Sequence, residues 1–341
     1  MAGLSDSALL DLSKSTLDEL GPPKFVQVAQ KIQDYEAVER LLRKDRVQFD
    51  SGKAVSRRLM VTQSGNARHV GLYAKDTVIV GDVLAEINLP WKHTMAYYAW
   101  ERREILMNRG KSKIVGLMDS RRADGMLGLI ELMEEACWTK PDDSDDTDPP
   151  FGLPYWIVKN ASTGFNGGNP AGFSSGPGGL VNDNFKNYTF QYAAMTKADA
   201  IKKMRTGYRK IGFKSPRNIP DYRRGRGNRY RLYVNEETIS TMEEVGEAQN
   251  ENLGRDLAPM DDTMAFKRNP IVWVPYLDVD TTNPIYMIDM STFFPIFLSG
   301  DWLRETEPKF VYDSHNCLVV FIDLTWQLMC LNRRANAVGS L

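Results

Sequence analysis

The chain has 341 residues, more than one compact core usually holds, so two lobes are expected. Hydrophobic residues make up 42% and charged residues 26%, the balance of a folded protein and not of a disordered one. The formal net charge is −1, so bulk charge argues neither for nor against a nucleic-acid partner, and no run approaches the ~20 apolar residues of a membrane span.

The start, "MAGLSDSALLDLSKS", lacks the basic-then-apolar order of a signal peptide, so folding in cytoplasm is expected. Residues 1–45 read as helical. Thr16 and Glu19 offer a capping box. Phe25, Val28, Ile32, Tyr35, Val38 and Leu42 then recur as one apolar stripe on a charged rod. The stripe suits packing on its own domain and docking on a neighbouring subunit equally.

Residues 53–75 read as two strands around "SGNA", with Leu59 and Val61, then Val70 and Leu72, alternating with polar neighbours. An isolated two-stranded hairpin is marginal in water, so this one must rest on something else. Residues 83–107 read as strands. Residues 111–138 read as one long helix, with Ile114, Leu117, Met118, Met126, Ile130 and Met133 at helical spacing. Gly116, Gly125 and Gly128 each cost about 1 kcal/mol against Ala, so tertiary packing must hold it.

The stretch "TKPDDSDDTDPPFGLP" is the domain boundary. It is not a calcium loop: counted from Asp143, Asp148 and Pro154 stand where an EF-hand needs Gly and Glu. The glycine-rich run "NASTGFNGGNPAGFSSGPGG", residues 160–179, has neither the Walker nor the dinucleotide pattern, and no Lys or Arg. It reads as a shaped, non-catalytic loop. A helix follows near "TKADAIKKMRTGYRKIG", then short strands. The last stretch reads as two long strands around a turn near Ser314.

No chemistry emerges from spacing. His69, His93 and His315 are scattered, and there is no G-x-S-x-G elbow. Cys137, Cys317 and Cys330 fit no zinc pattern and read as buried free thiols. No enzyme activity, cofactor or metal is expected. The strongest local feature is charge. Residues 197–231 are densely basic, with Arg223, Arg224, Arg226 and Arg229 and interleaved tyrosines, and an acidic block containing Glu243 and Glu244 follows. The basic block suits phosphate and base stacking. Pairing with the acidic block, within or between copies, is favoured over nucleic acid.

The order of parts resembles the major capsid proteins of tailed double-stranded DNA bacteriophages, with the Hong Kong 97-type fold. The strings that carry the likeness are "AYYAWERREILMNRGKSKIVGLMDSRRADGMLGLIELMEEACW", "STGFNGGNPAGF", "KADAIKKMRTGYRKIGFKSP", "NPIVWVPYLDVDTTNPIYMIDMSTFFPIFLSGDWLRET" and "VVFIDLTWQLMCLNRRANAV". They cover much of the chain from about residue 90 onward.

The resemblance implies an α+β chain. Residues 1–45 would be an N-terminal arm, 46–85 an extended E-loop, and 86–140 a peripheral domain with a spine helix. Residues 141–300 would be an axial domain, and 301–341 return strands of the peripheral domain. It implies self-assembly as pentamers and hexamers into an icosahedral shell around the phage genome. Implied partners are the protein itself, a separate scaffolding protein, a portal, decoration or cement proteins, and packaged DNA bound without sequence specificity. The place implied is the virion, assembled in bacterial cytoplasm. Candidate intersubunit contacts are Phe25, Val28, Ile32, Arg57, Arg58, Leu59, Arg68, Leu72, Arg223, Arg224, Arg226, Arg229, Glu243 and Glu244. Some family members join Lys to Asn covalently. Lys53 and Lys75 flank the E-loop, but no cross-link is assigned to them. An encapsulin-like compartment and a nucleic-acid-binding protein using 197–231 are the rival readings.

Overall fold

The computed structural model describes residues 35–41, 47–72, 81–107, 111–212, 230–250, 264–312 and 316–341. The chain starts with helix α1 (Glu36–Leu41), strands β1 (Gln48–Asp50), β2 (Ala54–Met60), β3 (Leu84–Pro90) and β4 (Lys92–Glu101), then helices α2 (Arg102–Met107) and α3 (Lys111–Trp138). Next come the single turn α4 (Leu153–Trp156), β5 (Gly164–Gly167), β6 (Asn187–Gln191), α5 (Ala200–Ile211), β7 (Tyr230–Val234) and α6 (Glu236–Asn250). The last elements are β8 (Ala265–Phe266), β9 (Asn269–Trp273), β10 (Ile285–Asp289), β11 (Phe293–Leu298), β12 (Arg304–Glu305), β13 (Lys309–Phe310), β14 (Cys317–Cys330) and β15 (Ala337–Ser340). The fold is α+β, and the long helix occupies the span its periodicity predicts.

Two compact units form. The first takes the described parts of 1–51, 91–135 and 296–327. Its centre is β14, paired antiparallel with β4 from Cys317↔Glu101 to Trp326↔Lys92. Strand alternation puts Leu318, Val320, Ile322, Leu324 and Trp326 on one face with Tyr98 and Trp100, all buried. On that face Tyr98 donates to Glu305 at 3.3 Å, and Arg122 of α3 pairs with the same carboxylate at 2.8 Å. Burial, with Glu305 beside it, pushes the Tyr98 phenol well above its ordinary pKa. Strand β1 joins parallel to β11 and brings Phe49 to Phe297 and Trp302.

The second unit takes the described parts of 52–90, 136–295 and 328–341. Its sheet runs β5-β6-β15-β10-β7-β9-β8. One face packs Tyr188, Phe190, Leu232, Val234, Ile285 and Met287 against Met204, Tyr208 and Ile211 of α5 and Met242 of α6. Tyr233 meets Trp138 edge-on at 4.8 Å.

Four local expectations are corrected. Strand β2 pairs not with the described residues 68–72 but with β3, in seven register pairs from Ala54↔Pro90 to Met60↔Leu84. Ala85, Ile87 and Leu89 make a stronger apolar alternation than Val70 and Leu72, and Ile87 and Leu89 are fully buried. Residues 102–107 are helical and not strand; Arg, Glu, Leu and Met favour helix, and Arg121 holds Glu104 at 3.1 Å. The end of the chain has one fourteen-residue strand preceded by two two-residue strands, because Pro308 and the charges around it interrupt pairing. Finally, residues 328–341 do not return to the first unit. The small residues of β15 fit between β6 and β10, in the second unit's sheet.

Candidate assembly surface

The β2–β3 hairpin has two unlike faces, as its register requires. One face carries Val55, Ile87 and Leu89 at zero exposure, with Arg57 opposite Ile87 and Leu59 opposite Ala85. The other pairs Ser56 with Asn88, Arg58 with Glu86, and Met60 with Leu84. The Arg58–Glu86 pair is 3.9 Å long with both side chains more than half exposed, so it contributes little to stability. Met60 is 62% and Leu84 55% exposed, and farther along the loop Val70 and Leu72 are 61% and 92% exposed. The hairpin is therefore anchored at its base and apolar toward its far end.

What it rests on is the glycine-rich loop. Gly178 sits in a tight 3-10 turn at φ +68, a conformation that disfavours any side chain. A Cβ there would lie 2.2 Å from Ile87 Cγ2 and 3.5 Å from Trp156. Its N–H donates to the Tyr155 hydroxyl at 3.1 Å. Beyond the ladder, Val61 N–H donates to Val83 O at 3.1 Å, Thr62 Oγ1 to Asp82 O at 3.1 Å, and Asn184 Nδ2 to Val61 O at 3.0 Å. Asn184 Oδ1 in turn accepts from Arg334 at 2.9 Å.

The other half of the loop is fixed by Arg333, which is 2% exposed. Its guanidinium donates to the carbonyls of Trp156 at 2.5 Å, Gly167 at 3.1 Å and Gly168 at 3.0 Å, and to Asn187 Oδ1 at 3.1 Å. Burial lowers its pKa to about 10, which leaves it charged at neutral pH. A phosphate cradle aims N–H groups at an anion. Here carbonyls converge on a cation, the reverse polarity. Arg333 went unnoticed in the sequence; its only signal is a charge two residues behind the apolar run that ends at Leu331.

Arg57, Arg58 and Leu59 lie on the hairpin, where Arg57 Nη1 donates to Ser56 O at 2.9 Å. Arg68 and Leu72 lie beyond it and are exposed. Glu243 and Glu244 lie on the exposed side of α6, in the same unit. Phe25, Val28, Ile32, Arg223, Arg224, Arg226 and Arg229 fall outside the described residues. At its described end, 36–41, the arm packs on its own unit. Ala37 and Leu41 are buried, and Glu134 of α3 accepts from the N–H groups of Ala37 at 3.0 Å and Val38 at 2.8 Å, the role of an N-cap supplied from another helix.

His93 Nδ1 lies 2.7 Å from Thr325 Oγ1, His69 is exposed, and His315 is outside the described residues. Cys137 and Cys330 are buried free thiols, while Cys317 is partly exposed. Burial pushes Cys330 up to about 12, so it stays protonated and unreactive near neutral pH. In the acidic loop, Asp143 caps the N–H groups of Asp145 and Asp146, and Lys140 donates to three carbonyls. No group of three His, Cys, Asp or Glu among the described residues could hold a metal ion, and no helix there is long and apolar enough to cross a membrane.

No protein-family model and no curated protein matches the sequence. Solved structures do match in fold. The capsid asymmetric unit of cyanophage A-1(L) aligns over 94% of this chain and 97% of its own, with a TM-score of 0.64 and 16% identity. The capsid of the native GTA particle aligns over 95% and 96%, with a TM-score of 0.59 and 12% identity. The capsid of Myoviridae phage XM1 aligns over 100% and 99%, with a TM-score of 0.51 and 13% identity. The chain has the fold of these capsid subunits.

Proposed function

We propose that this chain is a major capsid protein that assembles as pentamers and hexamers into the icosahedral head of a tailed double-stranded DNA phage. The observation that carries the reading is the likeness in fold over nearly the whole length of both chains. The hairpin supports it: Met60, Leu84, Val70 and Leu72 are an apolar surface that a lone monomer leaves in water.

In this reading residues 1–45 are the arm and 46–85 the E-loop. The peripheral domain holds residues 86–140, with α3 as spine, and residues 301–327. The axial domain holds residues 141–300 together with 328–341. Arg57, Arg58, Leu59, Arg68 and Leu72 face a neighbouring copy. Each contact is individually weak, and closure makes the shell cooperative. The role is structural and not catalytic. Scaffolding, portal and decoration proteins act as separate partners. DNA is held inside by confinement, without sequence recognition.

Negative-stain electron microscopy of the purified chain, alone and co-expressed with the proteins of its own gene neighbourhood, tests the proposal. Closed shells are expected. A monodisperse monomer under every condition refutes it, and shells filled with enzyme and free of DNA point to a compartment instead.

A further inference from the structure

Strand β4 is the longest strand with an open edge among the described residues. It pairs with β14 on one side over ten residues without a bulge, and no described strand pairs with its other side. The register fixes which backbone groups face each way. Odd positions of β14 bond away from β4: Thr306 N–H donates to Phe321 O at 2.9 Å, and Thr325 N–H to Asp301 O at 3.3 Å. The even positions of β14 therefore bond to the even positions of β4. That leaves the N–H and C=O groups of His93, Met95 and Tyr97 directed at the open side. Beyond Tyr97 the edge is closed, because Arg121 of α3 donates to Ala99 O at 3.4 Å and Glu104 accepts from Glu101 N–H at 3.3 Å. The open stretch is residues 93–97, His-Thr-Met-Ala-Tyr.

An open edge invites pairing, and folded chains block it with charge, proline or shortness. The other described edge strands follow that rule. Strand β1 has three residues, and β8, β12 and β13 have two each. Strand β5 has four, in an irregular register. The longer β2 carries Arg57 and Arg58, and β3 carries Glu86 and Pro90. Residues 93–97 hold no Asp, Glu, Lys, Arg or Pro. Instead they present Met95 at 56% and Tyr97 at 63% exposure.

We propose that this edge pairs antiparallel with the same edge of a second copy, across a two-fold axis through Met95. The proposal rests on the capsid reading above, which supplies the second copy. The occupant follows from the symmetry of the stretch about its centre. With Met95 opposite its own counterpart, His93 falls opposite Tyr97, and Thr94 opposite Ala96. This register uses the whole open stretch, and each outward-facing residue exchanges both of its hydrogen bonds. No like charges meet. Each Tyr97 meets an imidazole whose Nδ1 is already held by Thr325 at 2.7 Å. A two-fold contact closes with two copies and leaves no further edge to grow. Five residues a side bury far less than the ~1,000 Å² of a stand-alone interface, which suits one weak contact among many in a shell.

Full-length variants in a Cys317→Ser background test this, since Cys317 is the partly exposed thiol. Met95→Lys sets two ammonium groups against each other on the axis. Circular dichroism and melting temperature should match the wild type, because the side chain is exposed. The protein needed for half-assembly, measured by sedimentation and electron microscopy, should rise at least about tenfold. Met95→Leu should assemble like the wild type. Cysteines then map the register. In assembled particles, mild oxidation should link Met95→Cys into dimers on a non-reducing gel, because opposed Cα atoms lie ~5.5 Å apart. Tyr97→Cys alone should not link, its own counterpart being roughly 14 Å away along the strands. His93→Cys combined with Tyr97→Cys should link again.

Assembly of Met95→Lys at the wild-type concentration overturns the proposal. So does the absence of Met95→Cys dimers in assembled particles, which would give the edge to a different strand. Linkage of Tyr97→Cys as readily as Met95→Cys overturns it too, since the axis would not pass through Met95. In each of these cases the wild type still forms shells, and only the edge pairing falls. A wild type that never assembles sinks the capsid reading and the edge pairing together.

Discussion

Replacing Gly178 by Ala should loosen the seat of the hairpin, and the size of the effect follows from two separable costs. Gly178 holds φ +68, where a side chain costs roughly 1–2 kcal/mol. The new Cβ would also fall 2.2 Å from Ile87 Cγ2, a branched atom on a fully buried side chain that has no free end to swing aside. Overpacking of that kind costs about 1–3 kcal/mol more, for a total of roughly 2–5 kcal/mol. Gly179 is the matched control: its φ is +78, but nothing lies within 4 Å of its missing Cβ, so Gly179→Ala should cost only the backbone part. Urea unfolding of both variants measures the difference directly. Adding Ile87→Ala to Gly178→Ala removes the clashing methyl, and the pair should be less harmful than the sum of its parts by at least about 1 kcal/mol. Equal destabilisation by the two glycine variants, within about 0.5 kcal/mol, would refute the idea that the loop seats the hairpin through Ile87.

Three further outcomes are expected. Met60→Ser with Leu84→Ser should change unfolding free energy by less than about 0.5 kcal/mol, since both are exposed, yet weaken each intersubunit contact by about 2 kcal/mol or some thirtyfold, read as a higher assembly concentration. Arg333→Met takes its donor from three carbonyls and leaves Asn187 Oδ1 with only the Val158 N–H, and should cost about 3–5 kcal/mol in thermal or urea unfolding. Asp199 accepts from Lys203 and from the N–H groups of Ala193 and Ala194, which hold its carboxyl down at about 2 against 3.8. Its folded-state pKa is depressed, so its contribution is present above about pH 4 and fades as pH falls toward 2; Asp199→Asn should flatten that part of the stability–pH curve.

Local pattern carried the elements whose signal lies within one stretch of chain. The α3 helix over 111–138 and the amphipathic α5 are written in residues three and four apart. The hairpin's need for outside support was also legible, because Leu59, Val61, Val70 and Leu72 are too few to hold two strands together. Its pairing was not. β2 and β3 are separated by more than twenty residues, and nothing within 54–60 names its partner. The short β15 was misplaced for the same reason: four small residues fit any strand position, and only neighbours from β6 and β10 select one.

The glycine-rich loop marks the division. Its composition alone excluded a nucleotide cradle, since a loop with no cation and no following helix cannot hold a triphosphate. Its actual work depends on contacts that no spacing rule encodes. Gly178 must meet Ile87 from ninety residues upstream, and the carbonyls of Gly167 and Gly168 must meet Arg333 from far downstream. Periodicity is set by backbone geometry and is therefore local. The convergence of a buried cation on carbonyls, or of a methyl on a missing Cβ, is set by packing, and packing exists only once distant segments of the chain have come together.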